Sequence, residues 1–327
     1  MTGRLQPTAG LLAQVRDLKR VRDARSPRSL AERAFGRAWA RLAGGEAPAS
    51  VALSETAAAI AAVRLAGLDA GVMREHGLSG AEALGALGRA FDDVAAPLDP
   101  DLRTALRGAL GPLPADAAEP AFVDALVRQP RAGATAPGLP RIVLEPAESH
   151  ADHSLCTAVF GVVLAPRYGA DPTRVFLAGL AHHLFNTHLP DAGYAADTLL
   201  GDRLAGRMAD TSRERTLATL PNAVGAVVRD ALLATHADAF ETPDARAFHA
   251  ADVLDRVLEM AWHERAARFR LADALGDGPD HLDICHAGFY QSFQRDVLAS
   301  AGLVPDGLWD DAPAGDGAAA PHARATR

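Results

Sequence analysis

Helix punctuation recurs along this chain while strand patterning is nearly absent, and that contrast limits the fold more than any other feature. Ser29 with Glu32, and Ser79 with Glu82, have the spacing of capping boxes, in which the two side chains satisfy free backbone donors reciprocally, and each pair opens an apolar run. Asp99-Pro100, Asp171-Pro172 and Thr242-Pro243 each place a cap residue before a proline, the arrangement that starts a helix. Leu11, Leu12, Val15, Leu18 and Val21 recur at helical spacing, and Leu84, Leu87, Phe91 and Val94 predict a buried stripe. Only residues 142–144 read as extended, and they fall in a stretch that reads as a linker. The predicted fold class is all-α.

Proline and glycine between residues 129 and 147 forbid a regular helix there. The predicted organisation is a helical N-terminal region (1–130), a Pro/Gly linker (131–147), a second helical domain (148–304) and a small, polar tail (305–327) expected to be disordered. Hydrophobic residues make up 49% and charged residues 23%, enough apolar surface for a packed core. The net charge of −8, with no basic run interleaved with aromatics, predicts no nucleic-acid partner. Lys19 is the one lysine among 33 basic residues, and the Arg-rich stretch 16–28, broken by Asp17 and Asp23, reads as a solvated helix face. The uncharged apolar run 154–166 is too short to span a bilayer, and the N-terminus lacks the apolar stretch of a signal peptide. Cys156 and Cys285 sit in apolar helical contexts and read as buried thiols. A cytoplasmic protein with no membrane association is expected.

Ten of the twelve histidines lie between residues 150 and 286. A helix from about residue 148 carries His150 and His153, with Cys156, Val159, Phe160 and Val163 as its buried stripe. The helix opened by Asp171-Pro172 ends in His182 and His183, which are ~100° apart on a helix and can point into one cleft; Asn186 lies one turn beyond. A helix opened by Pro221 ends at Thr235-His236. The longest helix, about 243–272, has an expected apolar face of Phe248, Val253, Leu254, Val257, Leu258 and Ala261. Beside it runs a ladder of His249, Asp252, Arg256, Glu259 and His263. Such groups either face solvent or, if buried, must be paired or hold a metal.

The order His153-Ser154, then the run 175–183 ending in His182-His183, then Ala251-Asp252 within the long helix resembles the HD-domain superfamily. Those all-α proteins are metal-dependent phosphohydrolases with the ligand order His, His-Asp, Asp. The spacings, 29 residues from His153 to His182 and 69 from His183 to Asp252, suit such a domain. The resemblance covers about residues 148–270 and departs from the family where the doublet's Asp is replaced by His183.

Carried over residue by residue, the resemblance implies His153, His182 and Asp252 as metal ligands, with His183 as a substituted fourth. His188 and His236 are candidates for further ligands, and His150 is an alternative to His153. Imidazole ligates Zn²⁺, Fe²⁺ or Mn²⁺ but cannot bridge two metals as carboxylate does. Some family members place a glutamate where this chain has Asn186, which can orient water but not take its proton; Asp191, His188 or Glu259 would then serve. Arg256 either pairs with Asp252 or Glu259, or binds a substrate phosphate. The implied function is hydrolysis of a phosphate ester of a nucleotide or small metabolite, with homo-oligomerisation left open. Two other readings stand beside it: an HD-type iron oxygenase, and a degenerate domain that binds a ligand or partner without turnover.

Overall fold

The computed structural model describes residues 5–114, 118–133, 138, 140–235, 241–268 and 297–302. Thirteen α-helices follow in order through residue 268: α1 (Gln6–Arg16), α2 (Leu30–Ala43), α3 (Pro48–Leu65), α4 (Ala70–Glu75), α5 (Gly80–Val94), α6 (Pro100–Gly108), α7 (Phe122–Arg128), α8 (His150–Tyr168), α9 (Pro172–Ala181), α10 (Tyr194–Leu200), α11 (Asp202–Leu217), α12 (Asn222–Ala234) and α13 (Pro243–Arg268). Residues 297–300 are also helical. Short 3-10 turns follow α1 (Asp17–Lys19) and α9 (Leu184–Thr187). No strand forms among the described residues, so the chain is all-α. No helix among them is long and apolar enough to cross a membrane.

The helix starts follow the local signals. Ser29 and Ser79 cap α2 and α5 in complete capping boxes. Asp99 and Asp171 accept from the first-turn amides of α6 and α9, each with proline at the first helical position. Thr242 Oγ1 accepts from the Ala245 amide at the start of α13. A further capping box, Ser149 with Asp152, opens α8.

Residues Met1–Met260 form one compact unit and Ala261–Arg327 another. In the first unit α8 is the central rod: every residue from His150 to Ala165 is buried, as expected of a helix apolar on all sides. α2, α3, α7 and α9 pack around it. The α8–α9 contact depends on two glycines. A Cβ on Gly179 would lie 2.6 Å from the backbone of Ala158, and one on Gly161 would lie 2.4 Å from Val175 Cγ1. On the other side, Trp39 of α2 is fully buried and meets the rings of Phe35 and Phe122 edge-on. The expected stripe on α5 holds at Leu87, Phe91 and Val94, but Leu84 is 42% exposed and Ala83 takes its place inside. Cys156 is buried, and Cys285 lies outside the described residues, as does the predicted tail.

The N-terminal ends of α2 and α8 meet through their caps. Ser29 Oγ donates to Asp152, bringing that carboxyl close to the negative charge of Glu32. Burial, reinforced by Glu32, pushes the Asp152 carboxyl up to about 7. A folded pKa above the unfolded value of about 3.9 favours the protonated native state. The stability it contributes is therefore complete below about pH 4 and is lost as pH rises through about 7. Asp152→Asn keeps an acceptor for the Ser149 amide while removing this titration. Thermal melts between pH 5 and 8 are expected to show wild type losing stability relative to Asp152→Asn as pH rises; a constant difference would contradict this.

Candidate metal centre

Three histidines and one aspartate from three helices converge, and their outer hydrogen bonds fix what the inner atoms can do. His153, fully buried on α8, has Nδ1 2.6 Å from Asp255 Oδ2. His182, just past α9, has Nδ1 2.7 Å from the Gly179 carbonyl, which can only accept. His183 Nδ1 lies 2.9 Å from Asn186 Oδ1, whose amide nitrogen points to the Leu189 carbonyl. Each Nδ1 is therefore the donor, and in the neutral ring each Nε2 is left with a lone pair. His153 Nε2 is 3.1 Å from His182 Nε2 and 3.2 Å from Asp252 Oδ1. One nitrogen from each of the three imidazoles lies within 4.8 Å of the others.

Acceptors facing one another at this range need a positive group between them. A proton on His153 Nε2 can satisfy one contact at a time; a metal ion can satisfy all of them. Ligands ~2.0–2.1 Å from a tetrahedral divalent ion lie about 3.3–3.4 Å apart, close to the two separations at His153 Nε2, while the His183 nitrogen lies within 4.8 Å of the other two imidazole nitrogens. The charge states also suit a cation. Burial, added to the neighbouring charge of His153, holds His182 down to about 3. Burial likewise holds His183 well below the ordinary histidine value. Burial opposes ionisation of Asp252, but His153, His182 and Arg256 outweigh it and keep the carboxylate charged. His182 and His183 are thus held as neutral imidazoles beside the Asp252 carboxylate.

Behind His153 lies a buried ionic layer. Asp255 is fully buried, and Lys19 Nζ, equally buried, lies 2.7 and 2.8 Å from its two oxygens while also bonding Glu148. Glu148, His153 and Asp255 are close enough to suggest a second metal cluster. The Lys19 ammonium already supplies the cation there. Arg16 and Arg20 hold Glu259, one turn beyond Asp255.

This layer corrects two expectations. The stretch 16–28 is not a solvated face throughout, because Arg16 and Lys19 are buried in pairs with carboxylates of α13. Nor does α13 bury its valines: Val253 and Val257 are 46% and 57% exposed, while Phe248, Ala251, Asp255 and Glu259 turn inward. The carboxylates face in because buried cations of the α1 region meet them there. Asp255 and Lys19 escaped sequence reasoning. Asp255 lies one turn from Asp252, and Lys19 stood out as the one lysine, but neither signal showed their pairing.

The other predicted residues are placed as follows. Asn186 is buried and orients His183. Asp191 accepts from the amides of Ala132 and Gly193 and lies 3.7 Å from His150 Nε2. His150 is fully buried, with its ring 4.7 Å from that of His183. His188 lines a separate surface cavity of about 540 Å³ with Leu204, Met208 and Arg215. Arg256, 54% exposed, pairs with Asp252 Oδ2 at 3.0 Å. His236 lies outside the described residues.

Residues 123–274 match the sequence model of a family described as HD domain. The match begins within α7 and includes His153, His182, His183 and Asp252. No curated protein and no solved structure matches the chain.

Proposed function

Residues 123–274 are an HD domain, of a superfamily of metal-dependent phosphohydrolase-like proteins, and from that membership we propose that this chain hydrolyses a phosphate ester of a nucleotide or small metabolite with the help of a divalent metal. The observation that carries the reading is the cluster of three imidazoles, each with Nδ1 committed to an acceptor, in which His153 Nε2 lies 3.1 Å from His182 Nε2 and 3.2 Å from Asp252 Oδ1. His153, His182, His183 and Asp252 would hold the ion. When bound, such an ion polarises a phosphoryl oxygen and lowers the pKa of water.

The chain's own residues supply the rest. With one carboxylate among four ligands, the site keeps a net charge of +1 around a divalent ion, which favours an anionic substrate. The nitrogen-rich set favours Zn²⁺ or Fe²⁺ over Mg²⁺, with Mn²⁺ between. His183 does not bridge two ions as a carboxylate in its place would, which supports a site for a single metal. Arg256 is the exposed cation beside Asp252 and is the group assigned to meet the substrate phosphate. Asn186 holds the His183 ring in register, so it acts through that ligand rather than on water.

The experiment is a metal titration of His183→Asp with phosphomonoester turnover as a second readout. An added carboxylate is expected to lower Zn²⁺ affinity by about tenfold or more and to raise turnover with Mn²⁺. Unchanged metal preference would remove His183 from the ligand set.

A further inference from the structure

We propose that Lys19, from outside the HD-domain match, is a positioning residue that sets the metal-binding face of His153. The inference rests on the metal centre proposed above and extends it to the N-terminal helices. Lys19 ends the 3-10 turn after α1 and places a fully buried ammonium among the carboxylates of Asp255, Glu148 and Glu259. Both Asp255 oxygens accept from Nζ, and Oδ2 also accepts from His153 Nδ1. Gripped at both oxygens, the carboxylate cannot turn away from the imidazole. His153 must then carry its proton on Nδ1 and present a bare Nε2 to His182 and Asp252.

The choice of residue supports this role. A basic complement of 33 residues contains a single lysine, and it stands where one point charge meets the carboxylates of buried Asp255 and half-buried Glu148 at once. An ammonium with three rotatable donors fits that convergence, whereas the planar guanidinium fork of arginine does not. Stability alone is a weak reason for such a cluster, since buried ion pairs roughly break even against apolar packing. Orientation of a ligand is a use that apolar packing could not supply.

The test uses the full chain and the double variant Lys19→Met/Glu148→Gln, which removes the ammonium and one carboxylate together and leaves Asp255 and His153 intact. Two quantities are measured: Zn²⁺ affinity by competition with a chelator, and the His153 tautomer in metal-free protein by imidazole nitrogen NMR. Wild type is expected to show the Nδ1–H tautomer. The variant is expected to bind Zn²⁺ about 10–100-fold more weakly and to lose that single tautomer. A second variant, Asp255→Asn, keeps the shape of the partner and is expected to weaken Zn²⁺ binding over the same range, which keeps the idea testable should the double variant not fold. Wild-type affinity in either folded variant, with the tautomer unchanged, overturns the role of Lys19. If wild type itself binds no Zn²⁺, the metal reading fails instead, and the tautomer comparison alone decides whether Lys19 orients His153.

Discussion

Alanine at His182 or at Asp252 is expected to leave the helical spectrum intact and to reduce phosphomonoester turnover by at least about a thousandfold, or about 4 kcal/mol of transition-state stabilisation. Each substitution deletes one donor from a set whose remaining atoms are already fixed. His182 Nδ1 is committed to the Gly179 carbonyl, and Asp252 Oδ1 is the carboxylate oxygen nearest His153 Nε2. Of the neighbouring polar groups, Asn186 is engaged with His183, and Asp191 with backbone amides. Both target residues are only partly buried, so truncation removes a donor without opening a large cavity. Turnover surviving in either variant would move the chemistry elsewhere.

The second large effect is structural. Gly179→Ala places a methyl group 2.6 Å from the Cα and N of Ala158, a distance that no rotamer change can relieve because the obstacle is backbone. α8 and α9 must separate along the contact that carries His153 on one side and His182 on the other. The expected loss is about 3 kcal/mol, or a fall in Tm of roughly 6–12 °C. Gly206→Ala on exposed α11 is the control, since a Cβ there meets nothing within 4 Å. That change is expected to be neutral or stabilising by up to about 1 kcal/mol. The Gly179 carbonyl also orients His182, so weakened metal binding should accompany the lost stability. Similar melts for the two variants would show that the helix contact yields more easily than its geometry implies.

What could be read from the sequence was local, or depended on order along the chain. The caps at Ser29, Ser79, Asp99 and Asp171 act within three residues, so spacing alone placed four helix starts. The Ser149–Asp152 box was missed because aspartate replaces the usual glutamate at its third position. His153, His182 and Asp252 were legible as an ordered set, and the structure brings their donor atoms to 3.1 and 3.2 Å.

The orientation of α13 was not legible. Its valines are the obvious apolar face, yet Asp255 and Glu259 turn inward because Lys19, Arg16 and Arg20 are waiting from more than 230 residues away. Periodicity registers which residues share a face, but not which face meets a buried cation from a distant turn. The role of Lys19 was hidden for the same reason. Its rarity was visible, while its partners Glu148 and Asp255 lie on separate segments that only the fold brings together.

X-ray absorption at the metal edge, on protein loaded with Zn²⁺ and analysed for metal content, tests the centre most directly. One ion per chain, surrounded by three imidazoles and a carboxylate oxygen and lost in Asp252→Ala, is the predicted result. Protein that stays metal-free after loading, or an ion whose surroundings contain no imidazole, would contradict the account.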